Sequence, residues 1–212
     1  MVLFQPASSD LIAHIKHCYH AYRHTIDLDR KGLFFSPTCL QICRPTPSYA
    51  ATTRKEIVQY LIDAQQGNVP VETSASPPTE ASGNSEVTNT RTEFRSKAKG
   101  RDVYTIRPLK LSEYDFGVDD ITAPIGLTVE ELERIAKQEK WIGMRVDLWN
   151  EGGDEGGLLV KVQYWWRQEK VPDSEQIIDG APELGWRQCL HDIMYLGPKD
   201  GTEGGDGQEI LE

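Results

Sequence analysis

No stretch of this 212-residue chain approaches the roughly 18 consecutive apolar residues that a membrane-spanning helix needs. The opening "MVLFQPASSD" lacks the basic start and long apolar run of a secretory signal. No N-x-[ST] sequon occurs, and the cysteines are few. Cys18, Cys39, Cys43 and Cys189 are scattered, and the C-x3-C pair Cys39/Cys43 has no second pair behind it. That excludes a readable zinc framework and points to reduced thiols in a cytoplasmic protein. Positive charge is also short. The 23 Lys and Arg against 33 Asp and Glu leave a net charge of -10. This argues against a nucleic-acid phosphate surface and against broad contact with an anionic membrane. Hydrophobic residues make up only 38%, a deficit that suggests segments outside any core.

Such a segment runs from 68 to 100, where Ser, Thr, Pro, Glu and Asn dominate. It carries too little apolar area to offset its ordering entropy, so a disordered insertion is expected. Its basic end, "RSKAKGR", reads as a solvated linker. The acidic stretch 199–212 reads as a disordered tail. Residues 1–198 are then expected to form one interrupted domain.

Residues 9 to 28 read as a helix capped by Ser8 or Ser9. At about 100° per residue, Leu11, Ile15, Cys18, Tyr19, Tyr22 and Ile26 share one arc. Four of the five histidines lie in "HIKHCYHAYRH". His17, His20 and His24 fall opposite the apolar arc, with His14 at its edge. Their spacing could grip a metal ion, but no carboxylate is placed to orient the rings, so a solvated face and no metal site are expected. "TCLQICRPTPS" reads as a short strand. A second helix at 53–67 opens on the capping box Thr53/Glu56 and presents Ile57, Tyr60, Leu61 and Ala64. "RDVYTIRPL" reads as a strand, and "SEYDFGVDDITAPIG" as a loop. A third helix is boxed by Thr128/Glu131. Three strands follow, the first two joined by the glycine-rich hairpin loop "NEGGDEGG". Early helices against a late antiparallel meander give an α+β class.

"AYRHTIDLDRKGLFFSPTCLQICRP" followed by "TTRKEIVQYL" resembles the start of the SnoaL-like branch of the NTF2-like superfamily. The matching pieces are Tyr22, Asp27, Asp29, Leu33 to Pro37, Arg54, Ile57, Tyr60 and Leu61. Thr53 replaces a usual glycine, and Thr38 stands where an aspartate often follows the proline. "LLVKVQYWWR" and "GWRQCLHDIMYLG" resemble the closing meander. The resemblance implies a cone: a curved antiparallel sheet wrapped around N-terminal helices, with a pocket at its open end. It implies a small, mostly apolar organic ligand and no cofactor. Where relatives are enzymes, they are isomerases, cyclases or dehydratases that use an Asp or His and a Tyr. An isomerase-like acid at the end of the first strand is missing, and only His191 lies on a strand, so catalysis is left open.

Strand alternation sets out the candidates. Leu158, Val160, Val162, Tyr164 and Trp166 share one face and are expected inside. Trp149, Trp165, Asp147 and Arg167 are expected outside, as a homodimer surface. The final strand delivers either Asp192 or His191 inward, with Tyr19 or Tyr22 as hydrogen-bond donor. The expected ligand-contacting residues are Tyr60, Tyr104, Tyr164 and Trp166. The competing reading is a non-catalytic module that dimerises through the sheet face.

Overall fold

The computed structural model describes residues 7–66, 101–151, 157–171, 175, 184–205 and 208–212. The insertion expected at 68–100 and the hairpin loop 152–156 lie outside the described residues.

Helix α1 spans Ser9–His24, and Ser8 caps it by accepting from the Leu11 amide at 3.2 Å. It ends four residues before its expected end. Asp27 accepts from the Arg30 amide at 2.7 Å and so caps a separate short helix, α2, Leu28–Gly32. Ile26 falls in the break and is 90% exposed rather than on the buried arc. Strand β1, Phe35–Cys43, starts earlier than expected. Its pairing shifts register between Phe35 and Leu40, where Pro37 cannot donate to the ladder. Helix α3, Arg54–Gln65, opens on the anticipated capping box, with Glu56 accepting from the Thr52 and Thr53 amides.

Strand β2 is Arg101–Pro108. The segment after it, expected to be loop, contains the short helix α4, Asp119–Thr122, and leads into α5, Val129–Gln138. Thr128 and Glu131 cap α5 reciprocally, as their spacing predicts. Strands β3, Ile142–Glu151, β4, Leu158–Lys170, and β5, Leu184–Pro198, follow.

The open, curved sheet has the order β1-β5-β4-β3-β2. The expected antiparallel meander runs from β2 to β5, but β1 lies parallel to β5, so the sheet is mixed. The α+β class stands. On one side of the sheet α1 and α3 bury Ile15, Tyr19, Tyr22 and Ile57 against Tyr104, Met144, Val146 and Trp166. We call this the α1 side.

The opposite side is not the open surface that alternation suggested. Helix α5 and the segments on either side of it lay Leu132, Ala136, Phe116 and Trp141 over Trp165 and Leu190. Trp165 is completely buried, and its ring lies 4.8 Å from Phe116. A side chain at Gly143 would collide with Leu109 and Trp165, which explains a glycine inside this strand. Trp149 is also covered, with Val103, Leu159 and Tyr195 around it and Gly204 of the tail against its ring. The tail itself is held. Leu211 exchanges backbone hydrogen bonds with Tyr104 at 2.9 and 2.8 Å, closing the β2 edge, and Lys161 pairs with Asp200.

Replacing Trp165 by Ala empties the contact between α5 and the sheet. Urea denaturation should show a loss of about 3–5 kcal/mol, the usual cost of truncating a buried tryptophan.

Candidate functional site

The site is built on β5. Its register with β4 sets Tyr164 opposite His191 and Gln163 opposite Asp192. Because neighbours on a strand face opposite ways, His191 points to the α1 side and Asp192 to the α5 side. Of the two candidates on the last strand, His191 is the one that faces Tyr164 and the helical layer of α1.

His191 is 4% exposed. Its ring meets Phe35 edge-on at 4.9 Å and Tyr164 at 4.7 Å. Burial pushes its pKa down to about 3, so the imidazole is neutral at pH 7. Nε2 lies 2.5 Å from Oε1 of Gln188. With Nε2–H donating to that oxygen, Nδ1 keeps the lone pair. Gln188 reaches His191 because the β4–β5 pairing slips by one residue between Trp165 and Trp166. Without that bulge, residues three apart on a strand would face opposite ways. Strict alternation therefore missed Gln188, and only a register irregularity could have revealed it. Two buried donors on the same side of the sheet, Gln188 Nε2 and Nε1 of Trp166, the residue opposite Gln188 on β4, have no hydrogen-bond partner among the described residues.

The tyrosines expected at the site gather here. Tyr19 lies 5.1 Å from Tyr164, 5.3 Å from Tyr104 and 5.7 Å from Tyr22, measured between ring centres. Burial raises the pKa of all four, so their hydroxyls stay protonated. A hydrogen bond couples Tyr19 to Tyr164. The Tyr104 hydroxyl is bonded to His20 Nδ1 at 2.8 Å. Trp166 belongs to the same cluster, fully buried. Tyr60 is not brought to it; it stacks on Tyr49 at 5.1 Å.

Asp192 is also kept away from the tyrosines. It is completely buried on the α5 side, where Arg44 donates to it through Nε at 2.9 Å and Nη2 at 2.6 Å. Burial raises its pKa and Arg44 opposes that shift. Both carboxylate oxygens are thus occupied by a structural partner. The histidine stripe of α1 stays at the surface, with His24 Nδ1 bonded to the His20 carbonyl at 2.9 Å. Among the described residues, no group of three or more His, Cys, Asp or Glu could hold a metal ion.

A second feature lies on the α5 side. A cleft of about 490 Å³ runs between the sheet and the tail, lined by Arg107, Arg145, Asp147, Lys161, Thr202 and Gln208 among others. Its cations are matched: Arg107 with Glu113 at 2.5 Å, Arg145 with Asp147 at 2.7 Å, Lys161 with Asp200 at 2.9 Å. The Arg107 pair holds the Glu113 pKa down at about 2.

The His191 shift has a sign that can be measured. Unfolded histidine titrates near 6.5, so the unfolded chain takes up a proton between pH 6.5 and 3 that the folded chain refuses. Stability from this group is full above 6.5 and falls as pH drops, by about 1.4 kcal/mol per unit. Chemical denaturation at pH 6.5 and 5.0 should show His191→Phe losing about 2 kcal/mol less than the wild type. Equal losses would mean that His191 is not buried neutral.

No curated protein and no solved structure matches the chain. The SnoaL-like domain family model matches residues 4–212, nearly the full length and through both the helical start and the closing meander. The chain therefore belongs to the SnoaL-like family.

Proposed function

We propose that the α1 side binds a small, mostly apolar organic molecule with a carbonyl group, and that His191 moves a proton on it without a cofactor. The observation that carries this reading is the neutral imidazole of His191, bonded to Gln188, on the same side of the sheet as two buried donors with no partner, Gln188 Nε2 and Trp166 Nε1. Unpartnered buried donors are costly, and a ligand oxygen would repay both. In the proposed step, Nδ1 takes a proton from the carbon next to the carbonyl. The electrons of that C–H bond form a C=C bond, and the carbonyl oxygen becomes an enolate held by the two donors. A histidine with so low a pKa is a poor base in the empty site. The growing negative charge beside it favours the imidazolium, which then returns the proton to another carbon or to oxygen. The protonated Tyr19–Tyr164 pair adds hydrogen-bonding capacity to the same wall.

Isomerisation, cyclisation and dehydration all share this first proton transfer. Four buried, unpaired cysteines suit a reducing compartment, and we place the protein in the cytoplasm. No helix of the described residues is long and apolar enough to cross a membrane. The alternative, a module that dimerises through exposed tryptophans, loses its surface within the chain itself. Trp165 and Trp149 are 0% and 6% exposed.

The reading is tested by thermal shift with enolisable bicyclic ketones such as 2-tetralone, followed by deuterium exchange at the carbon next to the carbonyl. A ligand at about 100 times its Kd should stabilise the fold by about 2.7 kcal/mol. The wild type should accelerate exchange. His191→Gln should abolish that acceleration while binding changes little, and Gln188→Leu should slow it by about 10²–10³. Exchange that survives His191→Gln would remove the proposed base.

A further inference from the structure

We infer that the ligand is an anion, an aromatic or polycyclic carboxylate whose charged end is taken by Arg23 and Lys31. This deepens the proposed function and rests on it. Arg23 closes the last turn of α1, directly after Tyr22, and its guanidinium carbon sits 5.9 Å from the centre of the Tyr104 ring. Lys31, at the end of α2, puts Nζ 4.9 Å from the centre of the Tyr22 ring. The rings of Tyr22, Tyr19 and Tyr104 join the two cations in steps of 5.7 and 5.3 Å. The rings are buried and run inward from the two half-buried cations, so an apolar body would enter among them with its charge left at the cations.

The two cations lie near one another with no carboxylate in ion-pair range among the described residues. Arg44, Arg54, Arg107, Arg145, Arg167 and Arg187 each pair with a carboxylate. Among the described residues, Arg23 and Lys31 make no hydrogen bond and no ion pair, although both are half-buried and the chain carries ten more acids than bases. Asp102 acts on Arg23 only from beyond ion-pair range, and its carboxylate accepts from Asn150 at 3.3 Å. Burial and the charge of Arg23 together lower the Lys31 pKa, so the two cations are close enough to repel. Stacking on tyrosine rings offsets part of that cost. The helix C-termini also favour positive charge, but their partial charge does not neutralise a half-buried pair. A carboxylate would pair with both, in two-point contact with the guanidinium.

Isothermal titration calorimetry with 2-naphthoate, its neutral methyl ester and inorganic phosphate tests this. The acid should bind at least tenfold more tightly than the ester, and phosphate far more weakly than either. Arg23→Gln and Lys31→Gln should each weaken naphthoate at least fivefold and leave the ester within twofold. The double variant should not discriminate between acid and ester. Equal binding of acid and ester by the wild type overturns the inference while the apolar site stands, and this comparison needs no variant to fold. Discrimination that persists in the double variant also overturns it. Phosphate binding as tightly as naphthoate removes the aromatic half of the claim. If neither naphthalene compound binds, this inference and the apolar site fall together.

Discussion

Strand β5 lies between β1 and β4, and every candidate function depends on the register in which it pairs with β4. That register turns His191 toward α1 and Asp192 toward α5. A slip of one residue would exchange them, leaving a carboxylate among tyrosines and an imidazole opposite Arg44. Pairing on both edges makes such a slip costly. The parallel contact with β1 aligns Gln41 with His191 and Ile42 with Asp192, so both neighbours specify the same choice. The bulge near Trp165, one of two register shifts between β4 and β5, keeps that choice and adds Gln188 to the histidine's side.

The two sides of the sheet use charged groups differently, although the α5 side too holds a buried polar atom with no partner among the described residues, Gln163 Oε1. On the α5 side charges are satisfied: Arg44 grips Asp192, Arg107 grips Glu113, and Arg145 grips Asp147. A buried pair of this kind adds little net stability, but losing one partner leaves an isolated charge and is strongly destabilising. On the α1 side polar groups are left wanting. Gln188 and Trp166 hold donors with no acceptor, and Arg23 and Lys31 carry charge with no counter-ion among the described residues. A satisfied network fixes a fold, whereas an unsatisfied one beside apolar rings is where a ligand adds most.

Much of this was legible in the sequence. The capping boxes at Thr53/Glu56 and Thr128/Glu131 mark true helix starts, because the reciprocal bonds are local and need no tertiary context. The apolar arc of α1 correctly gathers Tyr19 and Tyr22. The family resemblance also held, since its motifs fall on α1, β1, α3 and the last strands. What escaped depended on contacts between distant segments. Asp27 ends α1 early by capping a second helix, and Ile26 is expelled with the break. Trp165 alternates with Tyr164 and so was expected at the surface, but alternation gives the side and not what covers it. The second layer came from α5 and a segment read as loop. Gln188 was hidden by a bulge.

The central claim is that His191 sits neutral on the α1 side with its lone pair on Nδ1. Nitrogen-15 NMR of the imidazole, followed from pH 7.5 to 4, tests it most directly. The account predicts an unprotonated ring throughout, with the proton on Nε2 and no titration until the fold itself begins to yield. A midpoint near 6.5, or a proton found on Nδ1, would contradict it.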